Sequence, residues 1–261
     1  MVTLQRFEYP TTLDEALSLL AAGRDTVRAI AGGTSLVFFH GRGVEALVDI
    51  TRLGLDRIWS KDDGITVGAC ARLHAVSLSP LLRPAGTLAI AEAAAKAGPR
   101  ALRNAITLGG NVAGYKRWSD LPAPLIACNA RVAIAGPEER HLPVAELFGG
   151  HPSRLLRTGE LLTHFWVPTP PPGTGSAYVK LARTETDYGL ASAAARVTLG
   201  AEARCRTRPW CSAPWATSRS RCPGSGSCST RAPGTCPSTR CRSASPSRSS
   251  RPRTCAPRRR T

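Results

Sequence analysis

The chain has 261 residues, 42% of them hydrophobic, and its 35 Lys and Arg against 18 Asp and Glu give a net charge of +17. That length holds one large domain or two modest ones around a sizeable core, which excludes a small disulfide-stapled scaffold. Met1-Val2-Thr3-Leu4-Gln5-Arg6-Phe7-Glu8 lacks the apolar stretch of a secretory signal and no later segment is apolar for long enough to span a bilayer, so a cytoplasmic protein is expected.

Taken in order, Thr12 and Glu15 have capping-box spacing, and Leu13, Ala16, Leu17 and Leu20 share one helical face, which predicts a helix ending near Gly23. The strand Val27 to Ile30 follows and runs into Ala31-Gly32-Gly33-Thr34-Ser35-Leu36. This reads as a loop leaving a strand. Two adjacent glycines let successive backbone N–H groups converge with no Cβ in the way, and Thr34 and Ser35 add hydroxyl donors, a combination suited to a phosphate. A further strand, Ala46 to Ile50, completes a small β-α-β unit.

Arg57 to Trp59 and Ile65 to Ala69 flank Asp62-Asp63-Gly64, a hairpin signal. The alanine-rich segment Leu88 to Ala97 predicts a helix stopped by Gly98-Pro99. Leu102 to Ile106 then leads into Thr107-Leu108-Gly109-Gly110-Asn111, a second glycine loop with the same chemistry as the first. Each loop alone is more often a tight turn than a binding loop; the pair can hold a diphosphate between them. Beyond it, a helix is expected over Asp120 to Ala127, with Asp120 as an alternative plain N-cap, then strands at Arg131 to Ile134 and Glu160 to Val167. The proline run Pro168 to Pro172 with Gly173 reads as a linker, and Ala177 to Leu181 and Ala191 to Leu199 as the first strands of a third unit. His40, His74, His141, His151 and His164 are scattered without ligand spacing, so neither a metal site nor a catalytic acid or base is assigned.

The two glycine stretches, their separation and Ser119-Asp120-Leu121-Pro122 together resemble the FAD-binding subunit or domain of the molybdenum hydroxylases, the carbon monoxide dehydrogenase and xanthine dehydrogenase group, over residues 1 to 200. The resemblance implies an α+β fold of two FAD-binding subdomains, a small βαβ unit at 1–55 and a larger mixed α/β sheet unit at 56–172, followed by an incomplete C-terminal α+β unit beginning at 173–203. It also implies FAD as cofactor and an oxidoreductase subunit that passes electrons to NAD, a quinone or another acceptor. Its partners would be a molybdenum-cofactor large subunit and a [2Fe-2S] small subunit, in a heterotrimer or its dimer. Position by position, Ala31, Gly32, Gly33, Thr34, Ser35 and Leu36 would wrap the diphosphate, and Arg28, Ala29 and Ile30 would line the adenosine side. Thr107, Gly110, Asn111 and Ala113 would form the facing loop. Asp120 would accept a hydrogen bond from the cofactor, Leu162 would make an apolar contact, and Lys180 would lie near the flavin. Gly114-Tyr115-Lys116-Arg117-Trp118 is bulkier and more basic than the small, proline-containing run of the family.

The tail, 204–261, is of another character. It holds 14 of the 35 basic residues, all Arg, and none of the acids, which leaves 21 basic against 18 acidic residues and a charge of +3 for the rest. Seven of the nine cysteines are there too, and the body keeps only Cys70 and Cys128, as a cytosolic protein would. With no Leu, Ile, Val, Phe or Met the tail has little to bury and is expected to be disordered. A metal site lacks any C-x-x-C pair; a nonspecific nucleic-acid arm is a second reading. The adopted reading is translation out of frame. Codons permitted for Arg208 to Pro223 and Arg251 to Thr261 let another frame read P-V-V-L-G-A-V-G-D-V-P-V and A-E-D-L-R-A-S-A-A-Y, and both strings resemble the C-terminal unit of the same family.

Overall fold

The computed structural model describes residues 4–200 apart from 24–25, 37–42, 62, 115 and 149–155. The three readings of the 204–261 tail, and the positions of His40, Tyr115 and His151, lie outside the described residues.

The chain opens with β1 (Arg6–Glu8), α1 (Leu13–Ala22), β2 (Val27–Ile30) and β3 (Ala46–Asp49), whose strands form a parallel sheet in the order β1-β3-β2. The Thr12 hydroxyl accepts the Glu15 N–H at 3.3 Å, as the capping spacing predicts. The return bond is displaced by one residue: the Glu15 carboxylate accepts from the Thr11 N–H at 2.9 Å. Gly23 lets the chain turn tightly under the sheet, because a Cβ there would overlap the Val27 side chain. Ala16 and Leu20 then bury their face against Val27, Ala46, Val48 and Ile50.

Next come β4 (Ile58–Lys61), β5 (Gly64–Gly68), α2 (Leu73–Leu78), a 3-10 turn at Pro80–Leu82, α3 (Leu88–Lys96), α4 (Arg100–Arg103), α5 (Leu108–Ala113), α6 (Pro122–Ala127), β6 (Arg131–Ala135), β7 (Arg140–Pro143), α7 (Val144–Leu147) and β8 (Leu161–Pro168). The strands make an antiparallel sheet, β4-β5-β8-β6-β7. Val67, Phe165 and Val132 stand in register across its middle and pack on Leu73, Val76, Ile90, Leu108 and Leu125. The helix expected from Asp120 begins two residues later, with Pro122 in the first turn, where a missing N–H costs nothing. The helices α2, α4 and α7 and the strands β1 and β7 were not expected from the sequence; each is six residues or fewer.

The last described elements, β9 (Thr174–Leu181) and β10 (Ala191–Thr198), pair antiparallel over all eight positions. Tyr178 and Ala194 sink into the main core. Polar bonds fasten the hairpin to α3 and α6: the Tyr178 N–H donates to Glu92 Oε2 at 2.8 Å and Arg196 Nη1 to the Cys128 carbonyl at 2.7 Å. The opposite face is apolar and open, with Val179 65% and Leu181 64% exposed. The α+β class expected from the sequence is the one observed.

Two clusters of buried residues share this framework, and they are stitched together by segments that alternate between them. Cys70 faces the smaller cluster while Ala69 and Ala71 face the larger, and Leu161 and Leu162 divide the same way. Burial pushes the thiols of Cys70 and Cys128 up to about 11. At about pH 8 both are therefore expected to resist iodoacetamide in the native protein and to react fully in denaturant, read on the two peptides by mass spectrometry. Equal labelling in both conditions would show that the core had not formed.

Candidate functional site

The first glycine stretch leaves the C-terminal end of β2. Gly33 takes φ +69°, a conformation that favours glycine. Gly32 lies so close to the second stretch that a Cβ on it would overlap the Ala105 carbonyl oxygen. The same oxygen accepts a hydrogen bond from Arg72 Nη1 at 2.7 Å. Ala31 to Leu36 are all half-buried, and among the described residues no group accepts from the backbone N–H groups of Ala31 to Ser35. Backbone N–H donors with no acceptor among the described residues, beside two glycines, make this run a candidate anion cradle.

The second stretch is built differently. It was expected as a loop and is the start of α5, because Thr107 caps it: the Thr107 hydroxyl accepts the Gly110 N–H at 3.1 Å. The other N–H groups are committed as well. Leu108 donates to the Ala71 carbonyl at 2.9 Å, Gly109 to that of Ala69 at 2.7 Å, and Asn111 to that of Thr107 at 2.9 Å. Gly109 is a packing glycine, since a Cβ would come within 2.8 Å of the Ala69 side chain. Gly110 and Ala113 are exposed on the helix surface. Gly114, at the end of α5, faces Ser35 of the first stretch.

Asn111 connects this helix to the next feature. Its carbonyl accepts from the Ser119 hydroxyl at 2.9 Å and its Oδ1 from the Leu121 N–H at 3.3 Å, which fixes the segment that carries Asp120. Asp120 is 6% exposed and accepts a 2.6 Å hydrogen bond from the Tyr178 hydroxyl. Lys180 Nζ stands 3.6 Å from the same carboxylate oxygen and also donates to the carbonyls of Lys96 and Asp187. Burial raises the Asp120 pKa, an effect opposed by the Tyr178 bond and the Lys180 charge. The Tyr178 hydroxyl is held protonated by burial and by the carboxylate beside it.

The expected residues therefore fall into groups. Ala31 to Leu36 sit at one junction with Ala105, Gly114 and Arg72. Asp120 and Lys180, 60 positions apart in sequence, meet at a second. Leu162 is elsewhere, buried in the main core opposite Ile134, and Arg28, Ala29 and Ile30 form β2 itself, with Arg28 exposed. Two participants were missed. Tyr178 was legible in principle, because it is two residues from Lys180 on a strand and so shares its face. Arg72, outside any motif, gave no signal. Among the histidines, the His141 and His164 rings lie 6.1 Å apart across the sheet.

The family described as the FAD binding domain in molybdopterin dehydrogenase matches residues 3–170. The chain belongs to this family. It is similar to the alpha subunit of the 6-hydroxypseudooxynicotine dehydrogenase complex of Paenarthrobacter nicotinovorans, with 35% identity over 199 residues, 74% of this chain and 67% of that one. It is 32% identical to the carbon monoxide dehydrogenase medium chain of Afipia carboxidovorans, over 74% of this chain and 69% of the relative. The solved Cu,Mo-CO dehydrogenase, in its cyanide-inactivated form, matches with a TM-score of 0.73 and 30% identity, over 78% of this chain and 73% of that one. This FAD-binding member is thus a dehydrogenase subunit of the molybdenum hydroxylase type, as the resemblance implied, and FAD is its cofactor. Among the described residues, no helix is long and apolar enough to cross a membrane.

The Asp120 cluster generates two expectations. Tyr178→Phe leaves a buried carboxylate short of a donor and is expected to destabilise the fold by about 1.5–3 kcal/mol in urea denaturation. Because the folded Asp120 holds its proton more tightly than the unfolded one, whose value is near 3.8, its contribution is full below that pH. It is lost as pH rises through the higher folded value. Asp120→Asn should therefore gain stability relative to the parent as pH rises from the lower value; a difference that does not vary with pH would contradict this.

Proposed function

We propose that this chain binds FAD as the medium subunit of a heteromeric molybdenum hydroxylase, between a molybdenum-cofactor large subunit and a [2Fe-2S] small subunit, assembled as a heterotrimer or its dimer in the cytoplasm. The observation that carries the reading is the half-buried run Ala31 to Ser35, whose backbone N–H groups have no acceptor among the described residues, in a family whose cofactor is FAD. The donor set fits a diphosphate.

In this reading Ala31, Gly32, Gly33, Thr34, Ser35 and Leu36 hold the diphosphate, and β2 residues Arg28, Ala29 and Ile30 border the adenosine. Thr107, Gly110, Asn111 and Ala113 form the facing wall. The N–H groups of Gly110 and Asn111 serve the protein, which supports a wall of exposed helix surface and side-chain amide over a second cradle. Asp120 offers a carboxylate oxygen to the cofactor, Lys180 places a positive charge beside it, and Leu162 backs the site from the core. Residues 1–55 and 56–172 act as the two binding subdomains, and 173–203 as the start of the third unit. The chemistry FAD supplies when bound is redox exchange between the [2Fe-2S] partner and a final acceptor, NAD, a quinone or another. The chain's residues bind, orient and set the local charge.

Flavin absorbance retained after FAD addition and desalting is the test. The parent chain is expected to keep the flavin bands, and Gly32→Ala to lose them, since the added Cβ displaces the cradle from Ala105. A parent without flavin, beside a version with residues 204–261 re-read in the other frame that retains it, would assign the loss to the third unit. Flavin in neither would refute the site.

A further inference from the structure

Arg72 stands outside every residue assigned to the cofactor, yet it occupies the junction of the two glycine stretches. It precedes α2 and is bridged antiparallel to Thr107, the cap of α5. The next residue is tied in as well, by the Leu73 N–H donating to the Ile106 carbonyl at 2.9 Å. The backbone of Arg72 is thus held rigidly, and its side chain reaches the Ala105 carbonyl at 2.7 Å. The same Nη1 is 3.4 Å from the place a Gly32 Cβ would fill, so the guanidinium lies against the first stretch too.

The charge is what needs explaining. Arg72 is half-buried and makes no ion pair among the described residues, whose carboxylate pairs involve Glu8, Glu160, Glu139 and Asp120. The fork carries five N–H donors, and one nitrogen satisfies Ala105. A half-buried cation with spare donors, next to the N–H groups of Ala31 to Ser35, makes a site with positive potential and no acid in contact to neutralise it.

We propose that Arg72 is a diphosphate-binding residue of the FAD site, its guanidinium shared between the Ala105 carbonyl and the cofactor's phosphates. It supplies the fixed charge that the cradle of neutral N–H groups lacks, and it keeps the Gly32 stretch seated on Ala105. The inference rests on the FAD reading above and adds a residue to it.

The test is FAD affinity by flavin-fluorescence titration over a range of salt concentrations, for the parent, Arg72→Gln and Arg72→Lys. Protection of Cys70 and Cys128 from alkylation checks that each variant is folded. Arg72→Gln is expected to bind FAD about ten- to a hundredfold more weakly, with a clearly shallower salt dependence. Arg72→Lys should recover the salt dependence with only part of the affinity, because a point charge replaces the fork. ADP as a competitor should lose affinity in Arg72→Gln, while adenosine should not. A folded Arg72→Gln with parental affinity, or one weakened for ADP and adenosine alike with an unchanged salt slope, would overturn the proposal and leave the FAD reading intact. A parent that binds no FAD would overturn both.

Discussion

The contact of Gly32 with the Ala105 carbonyl is the constraint on which the site depends. One stretch belongs to the parallel sheet and the other to the helical layer of the antiparallel sheet, and they meet backbone to backbone. No side chain fits between them. The approach is maintained from both sides of the junction: Arg72 closes it by a hydrogen bond to the same carbonyl, and the alternation of Ala69, Cys70 and Ala71 between the two clusters locks the layers beneath it. A carbonyl already bonded to a guanidinium can sit against a glycine without loss of solvation. The close approach therefore costs little.

The two glycine pairs look equivalent in sequence and divide the work. In the first, glycine frees donors, because the chain turns at Gly33 and leaves its N–H groups without partners among the described residues. In the second, glycine permits packing, and every donor from Leu108 to Asn111 is used internally. A helix with a satisfied N-terminus is a stiff surface. The contrast follows from Thr107, whose hydroxyl captures the donor that a loop would have left open.

The β9-β10 hairpin is fastened to the Asp120 segment through its side chains. Tyr178 and Lys180 reach back from β9 to Asp120, while Glu92 and Cys128 anchor the hairpin's backbone and Arg196. Asp120 thereby takes its environment from a strand nearly sixty positions away. The other face of the hairpin remains apolar and exposed at Val179 and Leu181. The sequence of 204–261 contains no Leu, Ile or Val.

By itself the sequence determined the local features: the capped α1, the glycine turn after β2, the hairpin around Asp63-Gly64, the alanine-rich α3 and the long strands β8 to β10. Each is a matter of period, turn chemistry or capping, all of which act within a few residues. Family and cofactor were legible for the same reason, since the glycine motifs and their spacing are local text. The pairing order of the strands, the conversion of the second glycine stretch into a helix start, the meeting of Asp120 with Tyr178 and Lys180, and the placement of Arg72 were decided only by tertiary structure. These depend on which surfaces are buried against each other and which donors find acceptors far along the chain, and no window of the sequence contains that information.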